Sequence, residues 1–249
     1  MNIVVCCKVV PDDQDIQVAA DGTLDYSKAK PIVSAYDLNA IEAAAQLADG
    51  GRVVAVTAGP AYIDDSKLKK NILARGVDEL YMTADDACKG LDAHAAAAAL
   101  ADLVAKAGEY DLILCGDGSA DDYAQQVDVQ LAARLGLPSV NGATKIEAGS
   151  GSVTVERTLE DVVEVVEAPL PCVVSVAPDI ALPRIPGMKD ILAAGKKPMG
   201  VAGADGAYES ALEVLSCKAP EQAERKLEVM DASEDGAIEK FAAALKAAL

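Results

Sequence analysis

At 249 residues, with 51% hydrophobic side chains, the chain can build one large α/β domain with an appendage, or two small domains, and its composition is that of an ordinary globular protein. A formal charge of −18 argues against nucleic acid or an anionic membrane as a partner, because phosphate surfaces attract basic faces and would repel this one. Six cysteines without a CxxC pair, together with a single histidine, exclude the ligand spacing of zinc and iron–sulfur sites.

In chain order, the first apolar run, Ile3 to Cys7, reads as a buried strand rich in Val and Cys. Neighbouring strand residues point to opposite faces, so Cys6 and Cys7 are not expected to pair with each other. Asp37 to Leu47 places Leu38, Ile41, Ala44, Ala45 and Leu47 largely on one side of a helix. Val53 to Thr57 and Glu79 to Met82 read as further strands, with a helical pattern over Ser66 to Ala74 between them and another over Ala93 to Ala105 after them. Leu112 to Cys115 is the fourth strand. Alternation of this kind predicts a parallel sheet joined by right-handed crossovers.

Directly after the fourth strand comes GDGSADDYAQQV, Gly116 to Val127. A strand that empties into a glycine-bearing loop, with a helix predicted to restart at Asp121 or Asp122 and to run to Leu135, brings backbone N–H groups and a helix N-terminus to one place, the geometry of a phosphate seat. Against this stand the anionic Asp117, Asp121 and Asp122, and the loop has no Lys of the P-loop kind. Beyond Leu135, Val153 to Thr158 and Val162 to Val166 predict an antiparallel hairpin turning near Glu160 and Asp161, and Cys172 to Val176 a fifth buried strand. Ala181 to Pro198 reads as a loop with three prolines and a short amphipathic piece from Met188 to Ala194. Gly200 to Gly206 reads as a linker, and Ala237 to Leu249 as a terminal amphipathic helix. No apolar stretch approaches the ~18 residues of a membrane span, and the N-terminal apolar run is too short for a signal peptide. A cytoplasmic protein with reduced cysteines and no membrane insertion is expected.

With these segments in place the chain resembles the beta subunit of the electron transfer flavoproteins, in its FixA-type branch. The resemblance spans about the first 200 residues, the size of one domain, and rests on six ordered blocks: VVCCKVVPDDQDI (4–16), DLNAIEAAAQL (37–47), VTAGP (56–60), the Gly116 to Val127 loop, VERTLEDVVEVVEAPLP (155–171) and PRIPGMKDILAAGKKP (183–198). It implies a doubly wound, mostly parallel α/β sheet of the adenine-nucleotide alpha-hydrolase-like type with an added β-hairpin and a C-terminal extension. Residues 1–200 would form the nucleotide-binding domain with a partner-recognition loop, and 201–249 an arm and helix packing on an alpha subunit. That alpha subunit would hold the redox FAD, while the beta subunit would bury AMP or a second FAD. Redox partners would be an acyl-CoA dehydrogenase-like or quinone-reductase protein, so the chain would be an electron carrier subunit with no general acid or base of its own.

Carried over residue by residue, the nucleotide surface comprises Cys6, Lys8, Ser34, Ala35, Tyr36, Asp37 and Ala58, then Gly116, Asp117, Gly118, Ser119, Ala120, Asp121, Asp122, Tyr123, Ala124, Gln125, Gln126 and Val127. The donors would be backbone amides near Gly118 to Ala120 and the Gln125 and Gln126 side chains, with Asp121 or Asp122 capping the helix or taking ribose hydroxyls. Arg184, Ile185 and Met188 match the partner-docking loop. Each residue also has a plainer role: Cys6 as packing, Lys8 as a solvated strand end, Asp37 as a helix cap, Tyr36 as a hydrophobic staple rather than a wall for the alpha-subunit flavin. Arg157 is expected in a cross-strand ion pair and His94 on the surface. An adenylating or ATP-binding protein of the same fold is the alternative, although such enzymes carry a phosphate loop of the SGGxDS kind where this chain has CKVVPDDQD.

Overall fold

The computed structural model describes residues 1–221 and 227–248. β1 (Ile3–Cys6) leads through the short strands β2 (Val9–Pro11), β3 (Gln17–Val18), β4 (Leu24–Asp25) and β5 (Pro31–Val33) to α1 (Ala35–Leu47). The alternation continues with β6 (Val53–Gly59), α2 (Ser66–Leu73), β7 (Glu79–Ala84), α3 (Ala93–Ala107), β8 (Leu112–Gly116) and α4 (Val127–Leu135). Then follow β9 (Ser139–Ala148), β10 (Ser152–Thr158), β11 (Val163–Pro169), β12 (Cys172–Val176), α5 (Met188–Ala194), β13 (Met199–Ala202) and α6 (Ala237–Ala248).

Nine strands form one sheet in the order β11-β10-β9-β12-β8-β1-β6-β7-β13. From β9 to β13 every neighbouring pair is parallel, and the β9–β10–β11 end is antiparallel. Because side chains alternate along a strand, the central strands feed two cores. Ile3, Val5, Leu112 and Leu114 face one layer with Ala40, Ile41 and Ala44 of α1 and Ile72 and Leu73 of α2. Val4, Cys6, Ile113 and Cys115 face the other with Ala97, Leu100 and Leu103 of α3 and Leu131 and Ala132 of α4. Helices on both faces of a mostly parallel sheet make this the doubly wound α/β fold expected from the sequence. Cys6 and Cys7 fall into opposite cores, as the strand period requires.

Five departures from the sequence-based expectations matter. The helix predicted to restart at Asp121 or Asp122 begins six or five residues later, at Val127, because Tyr123 and Gln125 sit at φ +46° and +54°, a left-handed conformation that no α-helix accommodates. Asp121 and Asp122 therefore cap nothing. α1 starts at Ala35 with Ser34 as its N-cap, so Asp37 lies inside the first turn and is not the cap. β9 was not predicted, since Asn141 and Gly142 read as loop punctuation. β13 overlaps the start of the segment read as a linker, and among the described residues its one strand partner is β7, in parallel pairing. The short strands β2 to β5 were likewise unforeseen. By contrast the hairpin of β10 and β11 is present with its turn at Leu159–Val162, and Arg157 pairs with Glu164 directly across it at 3.5 Å. His94 lies at the surface against Arg134. The α6 helix forms as predicted through Ala248, and Leu249 lies outside the described residues.

The chain divides into two compact units, Met1–Gln17 with Asp25–Ser216, and Val18–Leu24 with Cys217–Leu249. In the first unit, β1's connection to α1 folds back as the antiparallel pair β2 and β5. In the second, Thr23 bridges Lys218, and Ile238 and Phe241 of α6 are exposed.

Candidate functional site

In a doubly wound sheet the chain leaves the first strand toward one side and later returns to the other, so a crevice opens at the carboxyl ends where the direction reverses. Here β1 is followed outward by β6 and β7, and β8 then pairs on its other side. At that point lies a cleft of about 390 Å³, lined by Cys6, Cys7 and Lys8 after β1, Ala58, Gly59 and Pro60 of β6's end, Cys115 to Ser119 after β8, and the start of α4. The volume is in the range that holds a small-molecule cofactor.

A buried carboxylate organises the rim. Asp37, 6% exposed, accepts the Lys8 amide on Oδ2 at 2.7 Å and the Gly116 amide on Oδ1 at 3.1 Å. One side chain thus ties the outlets of two adjacent strands to the first turn of α1. The approach is close enough that a Cβ at Gly116 would sit 2.7 Å from Asp37 Oδ1 and 2.8 Å from the Tyr36 carbonyl carbon, so the position requires glycine. Burial pushes the Asp37 carboxyl up to about 7, and the two amide hydrogen bonds and Lys8 offset only part of that. Ser34, fully buried, adds a third tie: its Oγ accepts the Ala120 amide at 3.3 Å, and its own amide donates to the Lys8 carbonyl at 3.0 Å.

The loop Asp117 to Gln126 arches over this frame. The Asp117 amide is held by the Val176 carbonyl at 3.0 Å, and its carboxylate accepts Gln125 Nε2 at 2.9 Å and the Tyr123 hydroxyl at 3.4 Å. The Tyr123 ring lies 5.2 Å from that of Tyr36, tilted at 45°. Left-handed conformations at Tyr123 and Gln125 cost about 1–2 kcal/mol each, which these contacts hold in place. Lys8 Nζ reaches up from β1 to the carboxylates of Asp121 and Asp122, each at 2.8 Å, and to Ser119 Oγ at 3.4 Å. Burial disfavours the Lys8 charge, but the hydrogen bonds to the two carboxylates outweigh it and its affinity for the proton is raised. Gln126, the N-cap of α4, makes no side-chain cap, and the Asp128 carboxylate accepts first-turn amides of α4, its own and that of Val129.

The floor is apolar and sulfur-rich. Cys6 and Cys115 lie on neighbouring strands, and the hydrogen bond that the Cys115 thiol donates to Cys6, followed by burial, pushes the Cys115 thiol well up. Burial and the nearby Asp37 do the same to Cys7. The Cys7 and Cys115 thiols stay protonated at neutral pH, and Cys6 is buried at 4% exposure in the core facing α3 and α4. Among the described residues no group of three or more His, Cys, Asp or Glu side chains could hold a metal ion.

Of the nineteen sequence-predicted nucleotide residues, fourteen line the cleft: Cys6, Lys8, Asp37, Ala58, Gly116, Asp117, Gly118, Ser119, Asp121, Asp122, Ala124, Gln125, Gln126 and Val127. Ser34, Ala35, Tyr36, Ala120 and Tyr123 do not. Ser34 braces the loop from behind, while Tyr36 and Tyr123 stack outside. Reasoning from sequence missed Cys7, Cys88, Lys89, Ala96, Cys115 and Asp128, which reach the cleft from five separate segments. Cys115, as the last apolar residue before the glycine loop, carried a legible signal; Cys88 and Ala96 carried none.

The partner-loop residues are split. Arg184 stays exposed but is clamped to the buried Glu42, its guanidinium on Glu42 at 2.6 and 2.9 Å and its amide on Glu42 Oε2 at 3.1 Å. Asn39 donates to the Pro178 and Ala181 carbonyls at 2.7 and 2.8 Å, so α1 pins the start of the same segment. Ile185 and Met188, with Leu182 and Leu192, are exposed, Ile185 at 92%.

The family model described as the electron transfer flavoprotein domain matches residues 21–206, which takes in α1, the cleft loop and the β9–β11 hairpin. This chain belongs to the electron transfer flavoprotein family. Members bind FAD and typically pair with a partner subunit. Among the described residues no helix of this electron transfer flavoprotein chain is long and apolar enough to cross a membrane.

Proposed function

We propose that the chain is the beta subunit of a heterodimeric electron transfer flavoprotein of the FixA-type branch, working in the cytoplasm beside an alpha subunit that carries the redox FAD. Its cleft takes an adenine nucleotide, either AMP or the ADP half of a second FAD. Electrons enter from a dehydrogenase or from NADH and leave through the alpha-subunit FAD to a downstream acceptor, with an acyl-CoA dehydrogenase-like or quinone-reductase protein as redox partner. The observation that carries this reading is the cleft at the carboxyl ends of β1, β6 and β8, with Gly116 drawn against Asp37 and the Lys8 side chain on its wall.

The residues present suit an adenylate. An apolar floor of Cys6, Ala58, Ala96, Leu100 and Val127 suits a flat base, the Asp117 carboxylate suits ribose hydroxyls, and the Lys8 ammonium with the main chain of Gly118 and Ser119 suits a phosphate. Flavin, when bound, supplies the electron chemistry, and the protein's part is to hold, orient and tune it. No side chain is assigned a proton-transfer role. Ile185 and Met188, exposed on a segment clamped by Asn39 and Glu42, form the docking point for a redox partner, and the residues from 201 onward form an arm on the alpha subunit.

Co-expression with an alpha subunit, followed by release and counting of nucleotides, tests the reading. The heterodimer is expected to hold the alpha-subunit FAD plus one further adenylate, AMP or FAD, and Gly116→Val to lose the further adenylate while keeping the first. A heterodimer with no second adenylate, or a variant that retains it fully, contradicts the proposal.

A further inference from the structure

Lys8 is fixed at both ends, its amide by Asp37 and its ammonium by Asp121, Asp122 and Ser119. It stands on the cleft wall next to the loop that would meet a phosphate, and among the described residues the other cation lining the cleft is Lys89. Yet its charge faces two carboxylates, so the trio carries a net negative charge. The two acids differ in setting: the Asp121 side chain is 29% exposed and Asp122's is 64%. Asp121 is held ionised, because Lys8 and Ser119 more than offset the burial that would favour its neutral form. The neighbouring Asp117 and Asp128 add to the negative wall and have other partners, Gln125 and Tyr123 for the first and Ser175 for the second.

A carboxylate on an ammonium occupies the same donors that a phosphate oxygen would take. The Asp121–Asp122 stretch also runs directly into the left-handed Tyr123 and Gln125, a conformation that the surrounding contacts impose and local preference does not. We propose that Asp121 and Asp122 serve as a built-in counter-anion for Lys8, competing with the phosphate of a nucleotide in the cleft and so setting how much phosphate, as against the nucleoside, contributes to binding. This rests on the adenylate reading of the cleft. It makes Lys8 the phosphate-selecting residue and the two acids its brake.

Calorimetric titration of the full 249-residue chain with adenosine and with AMP tests it. Asp121→Asn/Asp122→Asn is expected to tighten AMP by about tenfold, the equivalent of ~1.4 kcal/mol, while adenosine changes by less than about threefold. Adding Lys8→Met in that background is expected to abolish the gain. The single Asp122→Asn, at the more exposed member, is expected to move AMP in the same direction by a smaller factor and guards against misfolding of the double variant. Parallel changes for adenosine and AMP would overturn the assignment, since they would mean the loop had merely moved, and so would a gain that survives Lys8→Met. If wild type binds adenosine but the variants show no phosphate-dependent change, the counter-anion falls and the cleft reading stands. If neither the wild type nor any variant binds adenosine, the cleft reading falls and the counter-anion falls with it.

Discussion

α1 meets the rest of the first unit in two quite different ways along its length. At its N-terminal turn Asp37 is buried and receives two main-chain amides, so the polar group serves the backbone of β1 and β8. One turn further on, Asn39 and Glu42 reach out to hold a segment whose own apolar side chains, Leu182, Ile185 and Met188, lie in solvent. A carboxylate is spent in both places, once to fix the shape of a concavity and once to hold an exposed apolar point in position. The pairing fits a subunit that holds a small molecule on one side of a helix and offers a protein contact on the other.

Breaking the first end has the largest expected effect. Asp37→Ala leaves the buried Lys8 and Gly116 amides without their acceptor and is expected to cost about 2–4 kcal/mol, read from chemical denaturation. A loss below about 1 kcal/mol would show that the two strand outlets do not depend on it. The same residue gives a pH signature. Its carboxyl titrates near 7 in the fold because burial disfavours the charged form, well above an unfolded aspartate near 3.8. The folded protein therefore holds this proton more tightly than the unfolded chain, so the contribution is fully present below about pH 4 and is lost as pH rises through 7. Stability of wild type relative to Asp37→Asn is expected to fall by about 2–4 kcal/mol between pH 5 and pH 8, an upper range for so buried a group. A flat difference would contradict the link.

At the other end, Glu42→Ala should cost about 1–3 kcal/mol, because Arg184 loses a nearly buried partner while staying partly solvated. Hydrogen exchange should rise chiefly over residues 178–188, where the helix clamps the chain. Uniform exchange across the sheet would mean the clamp is not local. The smallest stability effect belongs to the exposed face. Ile185→Ser with Met188→Ser should move stability by no more than ~0.5 kcal/mol, yet weaken electron transfer from the redox partner as seen in KM with little change in kcat. Unaltered KM would remove these residues from the docking point.

The central strands were legible because parallel strands covered on both faces are written as continuous Val, Ile and Leu runs, and Cys172–Val176 was found to the residue. Boundaries set by long-range contacts were not legible. Nothing local to Asp121 or Asp122 says that Tyr123 and Gln125 will turn left-handed; the contacts that hold them include Asp117 within the loop and Tyr36 and Lys8, which are distant in sequence. β13 is four residues with one neighbour, and four residues carry too little periodicity to separate a strand from a linker. The cleft loop was readable from its glycines and its place after an apolar run. Cys88, Lys89 and Ala96 come from a turn and a helix across the sheet and enter only through the fold. Asp37 was readable as important, but its role as an acceptor for two strand outlets depends on a register that a sequence does not print.

The most direct test is a crystal structure of the chain, alone or with its alpha subunit, grown with an adenylate. The account places the adenosine between the ends of β1, β6 and β8, with the main chain from Gly116 to Val127 wrapped against it. Adenosine bound elsewhere on the molecule, or a loop closed over the cleft with no nucleotide admitted at saturating concentration, would contradict it.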